Sequence, residues 1–318
     1  MSSGVPATST PVPATSTPVP ATSTPVPVLL GTISLDKYVD LGFDLPGGGV
    51  LNMAWHWKQL GQPYELISRV GAADADIFET FLRRHTIPHD PYALLSPEPS
   101  SSIDIRFGAD RQPHMDNFVG GVWETFRCTP EEERRVAAAP AYHTVLVEGA
   151  IEETMRLGAA GLLPRGTVSA DFLGFWHYTP SRMADTLRFV DLAFVGWPGN
   201  PSEEGVDEIA TLATELGRMI VMTFGAQGVR VIDGRTGGSD RWYDVHAIPV
   251  VGTTVGCGDA FIAAFLAEWW HTHDAATAVA AGADRGARTT AWNRPIPDDA
   301  YGPELAAFLA STDALYAR

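Results

Sequence analysis

Asp259 is the residue in this sequence with the most reactive setting. It lies in Val250–Trp270, VVGTTVGCGDAFIAAFLAEWW, where a glycine-spaced turn leads through a single acid into a run apolar enough to be buried. Gly256 and Gly258 allow a turn that brings bare backbone N–H groups close to a ligand. A helix starting near Gly258 adds unpaired donors and the positive end of its dipole. Together these groups form a pocket for negative charge that develops during a reaction. Asp259, in the first turn, could accept the proton of a hydroxyl attacking a phosphoryl group. Gly-x-Gly-Asp is also an ordinary helix start in which the acid serves the dipole, and the fragment alone leaves both readings open.

Such a turn needs a scaffold, and the rest of the chain supplies the pattern of one. From Val28 onward, apolar β-rich runs alternate with helical ones. VPVLLGTIS (26–34) and YELISRVG (64–71) read as strands, with LNMAWHWKQLG (51–61) as a helix between them. DADIFETFLRRH (74–85) is amphipathic, with Ile77, Phe78, Phe81 and Leu82 expected on one face. SSIDIRFG, a turn at ADRQ (109–112) and HMDNFVGGVW read as an added hairpin. CTPEEERRVAAA opens with a capping box, Thr129 to Glu132. YHTVLVEG, GTVSADFL, VDLAFVGW and RMIVMTFG are short strands separated by helices such as SEEGVDEIATLATELG. This alternation predicts βαβ units, a parallel sheet and helices on both faces. GVRVIDG and RWYDVHAIPVV read as antiparallel, and two or three helices close the chain. The expected α/β fold is one domain over 28–318, with a small β appendage near 38–50 and 100–122.

Residues 1–27 have a different composition. VPATSTP occurs in tandem at 5–11, 12–18 and 19–25. Proline every few residues removes donors and fixes φ, so a disordered, extended tail is expected there. Over the whole chain Lys+Arg 22 against Asp+Glu 38 gives 22 − 38 = −16. That balance argues against nucleic acid and anionic membrane as partners, which need clustered cations. It does not exclude a small phosphate-bearing ligand held by backbone N–H groups. Cys128 and Cys257 are far apart and have no metal spacing. With no apolar run near the roughly 20 residues of a membrane span, and no basic start leading into an apolar stretch, a cytoplasmic protein is expected.

TTVGCGDAF (253–261) resembles the C-terminal signature of the PfkB/ribokinase family of carbohydrate kinases, usually written D-T-x-G-A-G-D-A-F. PGGGVLNMAWHWKQLG (46–61) is similar to that family's N-terminal signature, GTISLD (31–36) to its first strand, GNPSE (199–203) to its N-x-x-E motif and TFGAQG (223–228) to its T-x-G-x-x-G turn. The motifs stand in the expected order over about 28–300. The resemblance implies a ribokinase-like three-layer αβα sandwich, a mostly parallel central sheet and a small β lid. It implies that Asp259 is the catalytic base and that Gly256, Cys257 and Gly258 form the anion hole. Asp36, Gly48, Gly49 and Asn52 would bind the acceptor, and Asn200, Thr223, Gly225 and Gly228 the nucleotide. Glu203 would act on magnesium through water. The implied reaction is ATP-dependent phosphorylation of a hydroxyl on a small sugar or sugar derivative, with ATP and Mg2+, and the resemblance leaves a homodimer open. MDNFVGGVWETF and TVSADFLGFW also resemble segments of fructoselysine 6-kinase-like proteins. A nucleoside kinase on the same fold, or a catalytically weak sugar- or nucleotide-binding regulator, are the alternatives.

The chain departs from the family pattern at three places that bear on chemistry. Thr253 stands where the signature opens with Asp, so little response to potassium is expected. Gly49 replaces an Asn that usually touches the sugar, which predicts extra room there and one fewer polar anchor. Gly120 falls where the fructoselysine-like branch would have Glu. Asp171, at a strand end, reads equally as a site residue or as strand-end solvation. Arg106 reads as a solvated charge, and Trp269 and Trp270 as packing residues.

Overall fold

The computed structural model describes residues 25–91, 94–108, 113–175 and 178–316. Residues 1–24 of the repeat tail and the ADRQ turn lie outside them. The first element is β1 (Val28–Leu30), just before which the carbonyl of Pro27 accepts the N–H of Glu65. The chain continues through β2 (Ser34–Tyr38), β3 (Phe43–Gly47), α1 (Gly49–Leu60), β4 (Glu65–Ile67), β5 (Val70–Gly71) and α2 (Ala75–Arg84). Then come β6 (Leu95–Ser96), β7 (Ser101–Phe107), β8 (Pro113–Val119), α3 (Pro130–Ala138), β9 (Ala141–Val145), α4 (Glu148–Ala159) and β10 (Thr167–Asp171). The second half runs α5 (Pro180–Leu187), β11 (Leu192–Gly196), α6 (Glu204–Leu216), β12 (Met219–Thr223), β13 (Val229–Asp233) and β14 (Asp240–Tyr243). It ends with α7 (Cys257–Thr272), α8 (Ala275–Thr289), α9 (Asp298–Tyr301) and α10 (Pro303–Tyr316).

The central sheet has eight strands in the order β14-β13-β12-β11-β10-β9-β1-β4. β4 through β12 pair in parallel, and β13 and β14 are antiparallel. Its strands β1, β11 and β12 are apolar on both faces, as a sheet covered by helices on both sides requires. Leu29 packs in one core cluster and its neighbours Val28 and Leu30 in the other. Met219 and Val221 likewise face one layer, and Ile220 and Met222 the opposite one. The period of two along each strand thus divides the interior into two cores. From β1 the chain moves to β4 on one side and then returns to β9 on the other. That reversal opens a crevice at the carboxyl ends of the strands, where ligands of such sheets bind.

A separate four-stranded sheet, β3-β2-β7-β8, stands off the main body. Tyr38 stacks on Phe43 and Phe107 at its base, with ring centroids 5.3 and 6.1 Å apart. The fully buried Arg294 lies over the Tyr38 and Phe43 rings and grips Asp298 with two hydrogen bonds of 2.8 and 3.1 Å. The appendage expected near 38–50 and 100–122 is therefore a sheet built from 34–47 and 101–119.

Two local expectations are corrected. Ile77 is exposed, because Phe78, Phe81 and Leu82 at i, i+3 and i+4 already fill the buried stripe of α2. RWYDVHAIPVV forms a strand only as far as Tyr243, and Ile248, Val250 and Val251 are exposed beyond it. The capping box is present: Thr129 Oγ1 accepts the Glu132 N–H, and Glu132 accepts the Thr129 N–H. Glu132 also takes both guanidinium arms of buried Arg69, at 2.8 and 2.7 Å. Trp269 stacks on Phe265, and Trp270 packs against Trp57. Arg106 is paired with Asp116 on the outlying sheet. Among the described residues no helix is long and apolar enough to cross a membrane.

Candidate active site

α7 begins one residue before the expected position, with Gly256 as its N-cap at φ 77°, ψ −1°. That left-handed geometry suits glycine, and a Cβ there would stand 2.7 Å from Pro295 Cα. The preceding turn is held by the chain that follows α8. The N–H groups of Val251 and Gly252 donate to the Thr290 carbonyl at 3.1 and 2.7 Å, and Thr253 N–H donates to Trp292 at 2.8 Å. Thr253 Oγ1 accepts the Val255 N–H at 3.2 Å, so the residue that replaces the expected Asp closes the turn from within. Gly282 and Gly286 let α8 approach α7 closely, since a Cβ on either would sit 2.9 or 3.1 Å from Phe261 or Cys257. The first-turn amides of α7 are therefore fixed before any ligand arrives: the Cys257 N–H donates to the Thr254 carbonyl at 3.3 Å, and those of Gly258 and Asp259 have no acceptor inside the helix.

Asp259 in that first turn accepts a hydrogen bond from Asn52 Nδ2 at 2.7 Å. α1 presents Asn52 because it packs along α7, with Trp57 Nε1 donating to the Ala263 carbonyl at 2.9 Å. Burial raises the Asp259 carboxyl to about 6, against which the Asn52 bond works. Asp36, at 5% exposure, accepts Ser34 Oγ at 3.0 Å. Burial first, and the nearby charge of Asp259, raise it to about 7, opposed by bonds from Ser34 and the Gly48 backbone. Room for Asp36 comes from Gly47, where a Cβ would fall 2.0 Å from its carboxylate. Gly48 adopts φ 91° and lies against the Thr32 carbonyl. The two glycines make the β3–α1 corner tight enough to bring Asp36, Asn52 and Asp259 together.

A cleft of about 800 Å³ opens beside Asp259. Gly256, Gly258, Thr223, Gly225, Asp171 and Trp197 are on its wall, and His114, Met115 and Asp116 of β8 border it from the outlying sheet. Gly258 is open above, with nothing within 4 Å of where a Cβ would stand. Asp36, Gly48, Gly49, Asn52 and Cys257 gather around Asp259 or the turn but are not on the cleft wall. The Cys257 thiol accepts from Thr289 Oγ1 at 3.0 Å, and burial pushes its pKa up, so it is no activated nucleophile.

Three placements differ from expectation. Gly49 does not open extra room: a Cβ there would meet Asp259 Oδ1 at 3.0 Å and Val145 at 3.2 Å. An Asn side chain at 49 would crowd the Asp259 carboxylate. Gly228 faces away from the cleft, and its missing side chain accommodates the Trp242 ring, which a Cβ would meet at 2.4 Å. Asn200 and Glu203 lie outside the wall, where Glu203 accepts from the Asn200 N–H at 2.7 Å and from Trp197 Nε1 at 2.9 Å. Among the described residues no group of three or more His, Cys, Asp or Glu could hold a metal ion. Trp197 had no motif to announce it. Asp171 could be found only as an acid ending a central strand.

The profile of the pfkB family carbohydrate kinase matches residues 191–291, which contain the turn and all of α7 and α8. Fructosamine kinase FrlD of Bacillus subtilis (strain 168) is 27% identical over 271 residues, 82% of this chain and 89% of that protein. A Methanocaldococcus jannaschii nucleoside kinase of the ribokinase family is 15% identical, covers 91% of this chain and 98% of its own, and superposes with a TM-score of 0.67. Arabidopsis thaliana ribokinase, solved with ribose and ATP, is 17% identical, with 89% and 99% covered and a TM-score of 0.67. Sequences this distant speak to the fold alone, and the fold is the ribokinase-like αβα sandwich with its small β lid. The matched stretch, the fold and the alignment to a curated kinase all make this chain similar to the pfkB family carbohydrate kinases.

Proposed function

We propose that the chain transfers the γ-phosphoryl group of ATP to a hydroxyl of a substituted ketose of the fructosamine type. The observation that carries the reading is the Asp259 carboxylate, held by Asn52 at the cleft in the first turn of α7. The acceptor oxygen attacks the γ-phosphorus, its proton passes to Asp259, and the bond to the β-phosphate oxygen breaks to leave ADP. N–H groups of residues 256–258 stabilise the charge that spreads over the transferring group. Asp36 and Asn52 orient the acceptor hydroxyls, and Thr223 and Gly225 border the nucleotide. Magnesium would arrive on the phosphates and neutralise their charge, and Asn200 and Glu203, which lie off the cleft wall, would reach it only through water. The fructosamine assignment is supported by the name of the curated relative.

The test is ADP release with a panel of free ketoses, ribose, nucleosides and 1-amino-1-deoxyketoses. The expected order places the substituted ketoses first and ribose low, with little response to potassium because Thr253 contributes no carboxylate. A nucleoside used better than every sugar would overturn the reading.

The pH profile is a second expected result. Asp259 must be ionised to take a proton, and its carboxyl titrates at about 6. On the acid side kcat/KM should therefore fall below about pH 7 and more steeply than unit slope, because Asp36 and Asp171, each raised to about 7, take up protons just above Asp259. An acid limb at the ordinary carboxylate value near 4 would show that a different group is the base.

A further inference from the structure

Asp171 ends β10 on the wall of the cleft and is 5% exposed. Its Oδ1 accepts the Leu173 N–H at 2.8 Å, which orients the carboxylate. Leu173 and Phe175 both hold positive φ, 54° and 67°, so the loop leaving Asp171 turns sharply away from the strand. Two acids, Asp171 and Asp259, share this wall, and Asp171 is held at about 7 by burial first and by the charge of Asp259 second. Among the described residues no lysine or arginine lines the cleft. The other acid bordering it, Asp116, is already engaged by Arg106 at 2.8 and 3.1 Å. The turnover reaction uses only one of the two wall carboxylates as a base. A second carboxylate buried beside it is costly unless a cation or a proton meets it.

We propose that Asp171 is the receptor for a protonated amine on the acceptor, and that it selects amine-bearing sugars over neutral ones. This rests on the reading of the cleft as the site of a sugar kinase and adds the residue that sets its specificity. An ammonium group brings its own charge to the site, so binding neutralises Asp171 and leaves Asp259 free to ionise. A neutral sugar leaves the two acids facing one another. Anionic acceptors, such as sugar acids, are disfavoured for the same reason.

The experiment compares a 1-methylamino-1-deoxyketose with its isosteric 1-O-methyl ketose, in the wild-type chain and in Asp171→Asn. The wild type should favour the amine by about 10–100-fold in kcat/KM, the range of a charge-assisted hydrogen bond. Asn keeps the oxygen that accepts from Leu173 and removes the charge, so the ratio should collapse towards one. Calorimetric binding of the same two ketoses checks the proposal independently of turnover, and ATP binding shows that the variant is folded. A wild-type ratio near one, or a ratio unchanged by Asp171→Asn, overturns the proposal. So does a variant whose only change is weaker Mg2+ dependence, because that assigns Asp171 to the metal. If neither ketose is phosphorylated, the kinase reading for these acceptors fails. The binding arm still decides: an amine bound no more tightly than its ether removes Asp171 from recognition.

Discussion

Asp259→Asn should lower turnover by about 10²–10⁴-fold while leaving ATP affinity nearly unchanged. The substitution keeps the shape and the partner, since an amide oxygen can still accept from Asn52 at the 2.7 Å contact. Only basicity is lost. The same variant should be more stable at neutral pH. The folded carboxyl is raised to about 6 from an ordinary value of 3.8. Between those values the folded state binds more protons than the unfolded one, so stability rises as pH falls through that window. At pH 7 the ionised, buried acid is therefore a burden that Asn relieves. Tm should rise by about 2–5 °C, a modest shift for a chain this long. A variant with near wild-type turnover would refute the assignment of the base, and one with unchanged Tm would refute the raised pKa.

The second large effect is expected at the helix N-cap. Gly256→Ala must adopt a left-handed conformation and also place a methyl 2.7 Å from Pro295 Cα. Pro295 cannot retreat easily, because the segment before it is laddered to residues 251–253 through Thr290 and Trp292. The N–H groups of the turn must shift instead. Losing well-placed donors at a developing anion costs about 10²–10³ in kcat. Gly258→Ala separates this effect from simple bulk. Its Cβ enters open space, and alanine favours helix by up to about 1 kcal/mol. That variant should be as stable as the wild type or more so, yet slower, because the methyl projects into the cleft. If Gly256→Ala keeps full kcat while Gly258→Ala loses it, crowding rather than donor geometry governs the rate.

Both predictions could be framed from the sequence, and the glycines show why. A glycine–acid spacing before an apolar run is local: Gly256, Gly258 and Asp259 lie within one helical turn, so their relation is set by backbone geometry. The alternation of strands and helices is local in the same sense. The two-residue period in VLL (28–30) and MIVMT (219–223), apolar on both faces, already specifies a sheet covered on both sides. Gly49 and Gly228 could not be read this way. What each glycine faces, the Asp259 carboxylate for one and the Trp242 ring for the other, depends on chain segments 210 and 14 residues away in sequence. Sequence alone determined the α/β class, the order of the motifs and the acid at the helix start. Only the tertiary structure decided that Asn52 holds that acid, that Arg294 braces the lid, and that Asp171 shares its wall. Those relations arise where α1, β10 and the residues after α8 meet at the carboxyl edge of the sheet, and no local pattern encodes contacts between elements so far apart in the chain.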